Sequence, residues 1–318
     1  MSYNFKFTVF TPTYNRVKVI NRVYSSLLNQ TFYDFEWLII DDGSTDKTAE
    51  LVQSWKNDPN TWFPIRYYWQ ENQHKKVAHN NAVKLAKGEL FLTFDSDDCC
   101  TPNALERFYY HWQSIPKEIK NEFSAITCLC VDENGNLVGN LFPCENWIDS
   151  NTLEIAYRHR IRGEKWGFHK TEILRKHLFS DEATSINGLI TEGLLWNQIA
   201  ENYKTRFVNE TLRIYYTNGA NDGVIQVTSA TEIRANSSGG LYGYRTFLSR
   251  YFRYVKYDPV TFIKVGAQLT RFYLHCHSPK QNVFWPDGLI PKFWVLILSP
   301  LGISLYLKDR LFEFLYGP

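Results

Sequence analysis

Two continuous apolar segments that end in acidic residues constrain the fold of this chain most. The run Trp37–Ile40 leads directly into Asp41 and Asp42, and the run Leu90–Phe94 leads into Asp95. Strands that are apolar on both faces are typical of a parallel sheet with helices packed on each side. We therefore expect an α/β protein, and the length of 318 residues allows one large or two ordinary domains.

Helical periodicity alternates with strand-like segments through the first 115 residues. The pattern predicts strands at Phe5–Thr11, Phe35–Asp42, Ile65–Trp69 and Glu89–Asp95. It predicts helices at Val17–Asn29, Asp46–Lys56, Val77–Lys87 and from Thr101, as N-cap, to Trp112. Repeated strand–helix units predict a mostly parallel sheet flanked by helices. Ligands of such sheets bind beyond the carboxyl ends of the strands.

The pattern changes after about residue 120. We expect a hairpin of Phe123–Val131 and Leu137–Leu141, helices near Thr171–His177 and Ile190–Asn202, and a strand pair within 206–217. A polar loop over 218–240 then leads into a helical, basic and aromatic C-terminal region. The predicted domains are therefore 1–217, an α/β domain, and 218–318, a helical extension.

Charge is distributed unevenly along the chain. The net charge of +2 is too small to indicate a nucleic-acid partner, but residues 241–318 hold ten basic and four acidic side chains. The uncharged run Phe293–Leu307, interrupted by Pro300, is about 22 Å long as a helix and shorter than a hydrocarbon core of about 30 Å. We expect either a helix at the membrane surface or a helix packed on the domain.

Several classes of protein are excluded or disfavoured by missing motifs. The six cysteines form no CxxC pair, and the N-terminus has no basic segment followed by an apolar one, so we expect a reducing cytoplasm. No GxGxxG follows a strand, and no GxxxxGK[ST] occurs. Nicotinamide-dinucleotide and P-loop proteins are therefore disfavoured.

Three polar motifs follow predicted strands. Asp95-Ser96-Asp97-Asp98 suits a hard divalent cation that shares its coordination with phosphate oxygens, although a solvated acidic turn is the alternative. The other two motifs are Thr11–Arg16 and Asp41–Asp46. A carboxylate there can accept a hydrogen bond from a pyrimidine N–H, and an aromatic ring can stack on a base, although each motif alone also suits a turn.

In order and spacing these three motifs resemble those of the inverting family 2 glycosyltransferases with a GT-A fold, over about residues 5–217. The resemblance implies that Asp97 is the main ligand of Mn²⁺ or Mg²⁺ and that Asp95 reaches the ribose or the metal. It implies that the nucleotide, usually with uracil as its base, is contacted by Thr11, Pro12, Tyr14, Asp42, Lys75 and Asp95. The loop before Lys75 lacks two glycines that many relatives have, and His74 and His79 are expected at the surface.

The resemblance also implies a catalytic base at the start of a helix. Aligning the downstream Leu-Trp and Ala places Glu192 at a position where the family usually has aspartate, with Asp181 and Glu182 as the alternatives. A general base takes the proton of the attacking hydroxyl. An exposed glutamate that only stabilises the helix start is the competing interpretation. Trp166 is expected to stack on the acceptor sugar, or else to be a buried core residue.

Together these inferences predict a cytoplasmic enzyme, peripheral on the inner face of the cell membrane. It would transfer a sugar from a UDP-linked or similar donor to a glycan or lipid-linked glycan, as in the assembly of bacterial surface polysaccharide. Two rival hypotheses remain. One is a degenerate scaffold that binds nucleotide or glycan without turnover, and the other is a nucleotidyltransferase, which would need a basic, glycine-rich loop near the N-terminus.

Overall fold

The computed structural model describes residues 3–216, 230–276 and 284–316. Two compact units divide the chain, one formed by Met1–Leu178 and Leu195–Val224, the other by Phe179–Leu194 and Ile225–Pro318. The sequence placed a single boundary at 217/218 and assigned Phe179–Leu194 to the first domain. The structure instead groups this segment with the C-terminal residues.

The first unit is built on one mixed sheet. Its described strands are β1 (Phe5–Thr13), β2 (Phe35–Asp41), β3 (Ile65–Trp69), β4 (Gly88–Thr93), β5 (Cys99–Cys100), β6 (Phe123–Asp132), β7 (Trp147–Ser150), β8 (Lys165–Lys170) and β9 (Lys204–Tyr215). The order across the sheet is β3-β2-β1-β4-β8-β6-β9-β5, and β7 pairs with β9. The α/β class is therefore confirmed.

The parallel part of the sheet matches the pattern of apolar runs. β1 pairs in parallel with β2 and β4, and β2 pairs in parallel with β3. Every residue of β2 is buried, as its continuous apolar sequence predicts. The described helices of this unit include α1 (Asn21–Leu28), α2 (Thr48–Lys56), α3 (His74–Leu85), α4 (Ala104–Gln113) and α5 (Thr171–Lys176). Thr101 is not the N-cap of α4, because the helix begins three residues later and Asn103 precedes it.

The second half of the sheet departs from the prediction. The predicted hairpin is present only at its turn: Leu137 makes an isolated antiparallel bridge to Val131, and no second strand follows it. At Gly139, which has φ +107°, the backbone lies so close to Arg162 that a Cβ would fall 2.1 Å from its carbonyl oxygen. The strand β8 pairs with the earlier part of β6, from Ala125 to Leu129. The predicted strand pair within 206–217 is the single strand β9.

The second unit is helical in its described part. It contains α6 (Asp181–Ser185), α8 (Ala230–Ala235), α9 (Ser237–Tyr251), α10 (Pro259–His275) and α11 (Leu289–Tyr316), and α7 (Gly193–Ile199) begins in it. Helices α10 and α11 pack closely where Gly302 faces the backbone of Ala267. Asp309 of α11 is buried and pairs with Arg271 and His275 of α10. Pro300 does not interrupt α11, which has 28 residues. The helix is therefore longer than the run Phe293–Leu307, from which the sequence predicted a segment too short to cross a membrane.

Candidate active site

The three polar motifs meet at the carboxyl edge of the parallel strands. Thr13 of β1 pairs with Asp41 of β2, so the residues that follow these two strands begin side by side. The backbone N–H of Asp42 donates to the carbonyl of Thr13 over 2.8 Å. The Asn15 side chain accepts a hydrogen bond from the backbone N–H of Thr45 at 2.8 Å, although Asn15 itself has a positive φ of 54°. The first and second motifs are therefore tied together.

The third motif lies at the centre of an ion-pair cluster, which we define as Lys75, Asp95, Asp98 and Arg213. Lys75 Nζ lies 2.5 Å from Asp95 Oδ1, and Arg213 Nη2 lies 3.2 Å from Asp95 Oδ2. Arg213 also donates from Nε to Asp98 Oδ2 at 2.7 Å. Each oxygen of Asp95 therefore has a cationic partner, and one guanidinium bridges Asp95 and Asp98.

Burial and charge set the electrostatics of this ion-pair cluster. Burial tends to raise the pKa of Asp95, but the charges of Lys75 and Arg213 outweigh it and lower that pKa to about 2. Asp98 is 2% exposed, and burial raises its pKa to about 7 although the charge of Arg213 opposes the shift. The two acids raise the pKa of Arg213 further above its usual value, despite burial. Asp98 is therefore a structural partner of Arg213 within a buried network.

Asp97 is the acid of this motif that suits a metal ion. Among residues 3–216, 230–276 and 284–316, nothing is bonded to its carboxylate, and only its backbone carbonyl accepts a hydrogen bond, from Arg22 Nη1 at 3.0 Å. No group of three or more His, Cys, Asp or Glu side chains in the described chain forms a protein-only metal cage. Mg²⁺ is commonly held by one or two carboxylates together with substrate phosphates and water. Asp97, which is partly exposed, fits that manner of binding.

The two acids of the second motif, Asp41 and Asp42, have different hydrogen-bond partners. Asp41, fully buried, accepts hydrogen bonds from the Tyr67 hydroxyl at 2.5 Å and the Ser44 backbone N–H at 2.7 Å. Burial and the neighbouring Asp41 raise the pKa of Tyr67 well above its usual value, so this hydroxyl remains a donor. Asp42 is 5% exposed and accepts hydrogen bonds from the Gln70 side chain. Asp41 therefore shapes the loop, whereas Asp42 lies beside the open edge of the sheet.

Three residues do not have the placement that the sequence predicted. Thr11 is fully buried and its hydroxyl accepts a hydrogen bond from Trp37 Nε1, so its side chain belongs to the core. Trp166 is 4% exposed, and its indole donates to the Thr93 carbonyl at 2.7 Å. It is a core residue, and the acceptor-stacking hypothesis is wrong. His79, expected at the surface, is completely buried.

The remaining predicted residues keep accessible positions. Tyr14 is 48% exposed and follows β1, where its ring is open to a ligand. Pro12 lies within β1, opposite Ile40. Glu192 lies in the second unit, partly exposed, immediately before α7. The alternatives Asp181 and Glu182 lie at the start of α6, and Glu182 pairs with Arg245 at 3.5 Å.

Sequence reasoning missed the buried Arg213 and the glutamine Gln70. The available signal for Arg213 was a lone arginine within the apolar, aromatic segment that precedes Tyr215. Charged side chains are rarely buried unless they are paired, so this arginine required an acidic partner. Gln70 follows β3 directly, and its distance in sequence from Asp42 gave no sign that the two side chains meet.

Comparison with known proteins gives consistent results. Residues 8–119 match the family model described as "Glycosyl transferase family 2". A chondroitin synthase of Escherichia coli is 35% identical over 141 residues, which is 44% of this chain and 19% of that protein. The chain spans about a fifth of the length of the first curated relatives that it matches.

Two further matches cover more of the chain. A GalNAc(5)-diNAcBac-PP-undecaprenol beta-1,3-glucosyltransferase of Campylobacter jejuni is 26% identical over 217 residues, covering 66% of this chain and 64% of that protein. The crystal structure of S. aureus TarS 1-349 in complex with UDP-GlcNAc has a TM-score of 0.59 and 18% identity, covering 97% of this chain and 91% of that one. This structural likeness shows a common fold.

Proposed function

We propose that this chain, whose residues 8–119 match the model of glycosyltransferase family 2, transfers one sugar from a UDP-linked donor to a hydroxyl of a lipid-linked glycan. The observation that carries the proposal is the convergence of the three polar motifs at one sheet edge. A named relative that acts on an undecaprenol-linked glycan, and a neighbour bound to UDP-GlcNAc, support the choice of acceptor and donor.

The nucleotide binds at the ends of β1 and β2 in this proposal. Asp42 accepts a hydrogen bond from the base, and the exposed ring of Tyr14 stacks on it. The diphosphate lies beside Asp97 and Lys75, because Asp97 belongs to the third motif and Lys75 pairs with Asp95 of that motif. Asp97 would hold Mn²⁺ or Mg²⁺, which would supply charge stabilisation for the leaving UDP.

Glu192 acts as general base. Its carboxylate takes the proton of the acceptor hydroxyl while the hydroxyl oxygen forms a bond to the anomeric carbon. The bond from that carbon to the UDP oxygen breaks on the opposite face, which inverts the configuration. This role rests on the position of Glu192 immediately before α7, where a partly exposed carboxylate lies at a helix start.

The test is metal-dependent release of UDP from a panel of UDP-sugars with a glycan acceptor. A general base contributes about 10²- to 10⁴-fold to the rate, so Glu192→Gln is expected to lose that factor while UDP affinity stays within twofold. Asp181→Asn and Glu182→Gln are the matched controls and are expected to retain turnover. Wild-type protein that binds UDP but never turns over any donor would instead support a scaffold without catalysis.

The nucleotidyltransferase hypothesis is disfavoured by the first motif. Such an enzyme needs a basic, glycine-rich loop after the first strand, whereas Thr11–Arg16 contains no glycine and its loop is tied to the second motif through Asn15. Release of inorganic pyrophosphate from a nucleoside triphosphate and a sugar phosphate, without UDP release, would favour that rival.

We also propose that α11 docks on the cytoplasmic face of a membrane. By length and composition alone this helix, the one such helix in the described residues, is able to cross a bilayer, and only 11% of its most apolar window is buried. Its inner face packs on α10 through Trp294, Gly302 and Asp309. The outer face exposes the apolar residues Leu289, Phe293, Ile297, Leu301, Leu307 and Leu311.

A bilayer surface suits this face because basic side chains accompany it. Lys292, Lys308 and Arg310 are exposed on α11, and residues 241–318 have a net charge of +6. Exposed apolar surface beside basic residues is the pattern of interfacial helices. Co-sedimentation with vesicles containing 30% anionic lipid is expected to fall at least fivefold for Ile297→Glu combined with Leu311→Glu. Val260→Glu, an equally exposed apolar site on α10, is the control and is expected to bind normally.

A further inference from the structure

A chain of side-chain hydrogen bonds leads from helix α3 to Asp42. Asn81 Nδ2 of α3 donates to Gln70 Oε1 at 2.8 Å. Gln70 Nε2 then donates to Asp42 Oδ1 at 2.7 Å. Gln70 is itself held at the sheet edge, because its backbone N–H donates to the Asp41 carbonyl at 2.9 Å. We call Asn81, Gln70 and Asp42 the amide relay.

The amide relay has only one workable orientation. Asn81 presents its NH₂ to the oxygen of Gln70, which leaves the NH₂ of Gln70 facing Asp42. The reverse orientation of Gln70 would set an amide oxygen against a carboxylate, which is repulsive. The backbone N–H of Gln73 adds a second donor to the same oxygen, Oδ1, at 3.0 Å. The two donors therefore fix the rotation of the Asp42 carboxylate.

The second oxygen of Asp42 is left as an acceptor. Within the described ranges no donor is bonded to Oδ2, although the side chain is only 5% exposed. Asp42 also interacts electrostatically with the buried ammonium of Lys76. Burial lowers the pKa of Lys76, and the charge of Asp42 opposes this shift. A buried anionic acceptor requires a donor from its ligand, since leaving it unpaired costs binding free energy.

Uracil and cytosine differ at N3, the atom that would contact such an acceptor. Uracil carries an imide N3–H, a donor between two carbonyls, whereas the N3 of cytosine is an acceptor. A site built around a hydrogen bond rejects analogues that lack the matching group by large factors. We propose that Asn81 and Gln70 are positioning residues that hold Asp42 for an imide N–H and make the site select UDP over CDP.

This inference rests on the proposed function, since it assumes that Asp42 lies at the base of the bound nucleotide. Wild-type protein with Mn²⁺ is expected to bind UDP about 100-fold more tightly than CDP by isothermal titration calorimetry. Asn81→Asp turns the amide of Gln70 around, because the new carboxylate accepts its NH₂. We expect UDP affinity to fall about tenfold and CDP affinity to stay within twofold.

Two further variants distinguish a positioning role of the amide relay from a structural one. Gln70→Leu removes both relay bonds while keeping similar volume, and it is expected to lower the UDP-to-CDP ratio by a similar factor. Gln53→Glu, an exposed glutamine on α2, adds the same charge elsewhere and is expected to leave the ratio unchanged. A merely structural role of Asn81 would weaken UDP and CDP equally.

The outcomes separate the two proposals. Equal affinity of wild-type protein for UDP and CDP, or an unchanged ratio in Asn81→Asp and Gln70→Leu variants that are folded by circular dichroism, overturns the amide relay and leaves the glycosyltransferase proposal standing. Wild-type protein that binds neither nucleotide overturns the proposed function, and the relay with it. A tenfold fall in the ratio for either variant supports the relay.

Discussion

Arg213→Met is the substitution expected to destabilise the first unit most clearly. The guanidinium is 5% exposed and is bonded to both Asp95 and Asp98. Methionine has a comparable length and fills the space, but it provides no donor. The variant therefore leaves Asp98, which is 2% exposed, with its negative charge uncompensated.

The magnitude follows from the burial of both partners. Breaking a buried ion pair by removing one partner costs about 3–5 kcal/mol. In a unit of about 200 residues, 1 kcal/mol corresponds to about 2–4 °C in Tm, so we expect a fall of roughly 6–20 °C. Arg107→Met is the control, because its pair with Glu210 is about one third exposed and its loss costs at most about 1 kcal/mol.

The cost is also expected to depend on pH. Burial already raises the pKa of Asp98 to about 7 while Arg213 is present, and removal of the cation raises that pKa further. A carboxyl whose pKa is raised on folding stabilises the protein while it is protonated, and this contribution is lost as the pH rises through the folded-state pKa. The deficit of Arg213→Met should thus be larger at pH 8 than at pH 6.

Thermal unfolding followed by circular dichroism provides the measurement, at pH 6 and pH 8 and at matched ionic strength. The assay compares Arg213→Met, Arg107→Met and wild-type protein. A fall in Tm for Arg213→Met that is no larger than that for Arg107→Met would refute the reasoning. A deficit that is the same at both pH values would refute the role assigned to Asp98.

Two further predictions concern stability. Burial tends to raise the pKa of Glu210, but hydrogen bonds from Arg107 and His111 outweigh it and lower that pKa to about 2. The Tm deficit of Glu210→Gln should therefore be present at pH 7 and vanish as the pH falls from about 4.5 towards 2, and a deficit unchanged at pH 2.5 would contradict this. Gly302→Ala should destabilise α10–α11 packing by about 1–3 kcal/mol, because its Cβ would lie 2.5 Å from the Ala267 carbonyl oxygen. Gly243→Ala in α9, where a Cβ meets only a side chain at 3.7 Å, should instead stabilise by up to about 1 kcal/mol, and equal urea midpoints for the two variants would argue against this packing.

The parallel half of the sheet was predictable because its signal is local. The β2 sequence is apolar at every position from Trp37 to Ile40, and a strand buried on both faces needs no information from elsewhere in the chain. The predicted strand Ile65–Trp69 has the observed bounds. Residues 137–141 form no strand beyond the bridge at Leu137, and Gly139 and Asn140 instead contact the backbone of Arg162, more than 20 residues away.

Some residues of the candidate site were likewise predictable from local sequence, and others were not. Asp42, Asp95 and Asp97 were predicted as site residues because each follows a strand, and strand ends in a parallel sheet meet at one edge. For Trp166 the sequence left two alternatives, stacking on the acceptor sugar or burial in the core, because the neighbouring residues are compatible with both. Only the structure shows that its indole bonds Thr93 and lies in the core.

The amino-acid sequence by itself thus determined the fold class, the three polar motifs and the acids that carry the proposed chemistry. The tertiary structure decided which partners those acids have: Arg213 for Asp95 and Asp98, and Gln70 with Asn81 for Asp42. The physical reason is that backbone periodicity is encoded by neighbours in sequence, whereas the charge and direction of a buried carboxylate depend on donors brought to it from distant strands and helices.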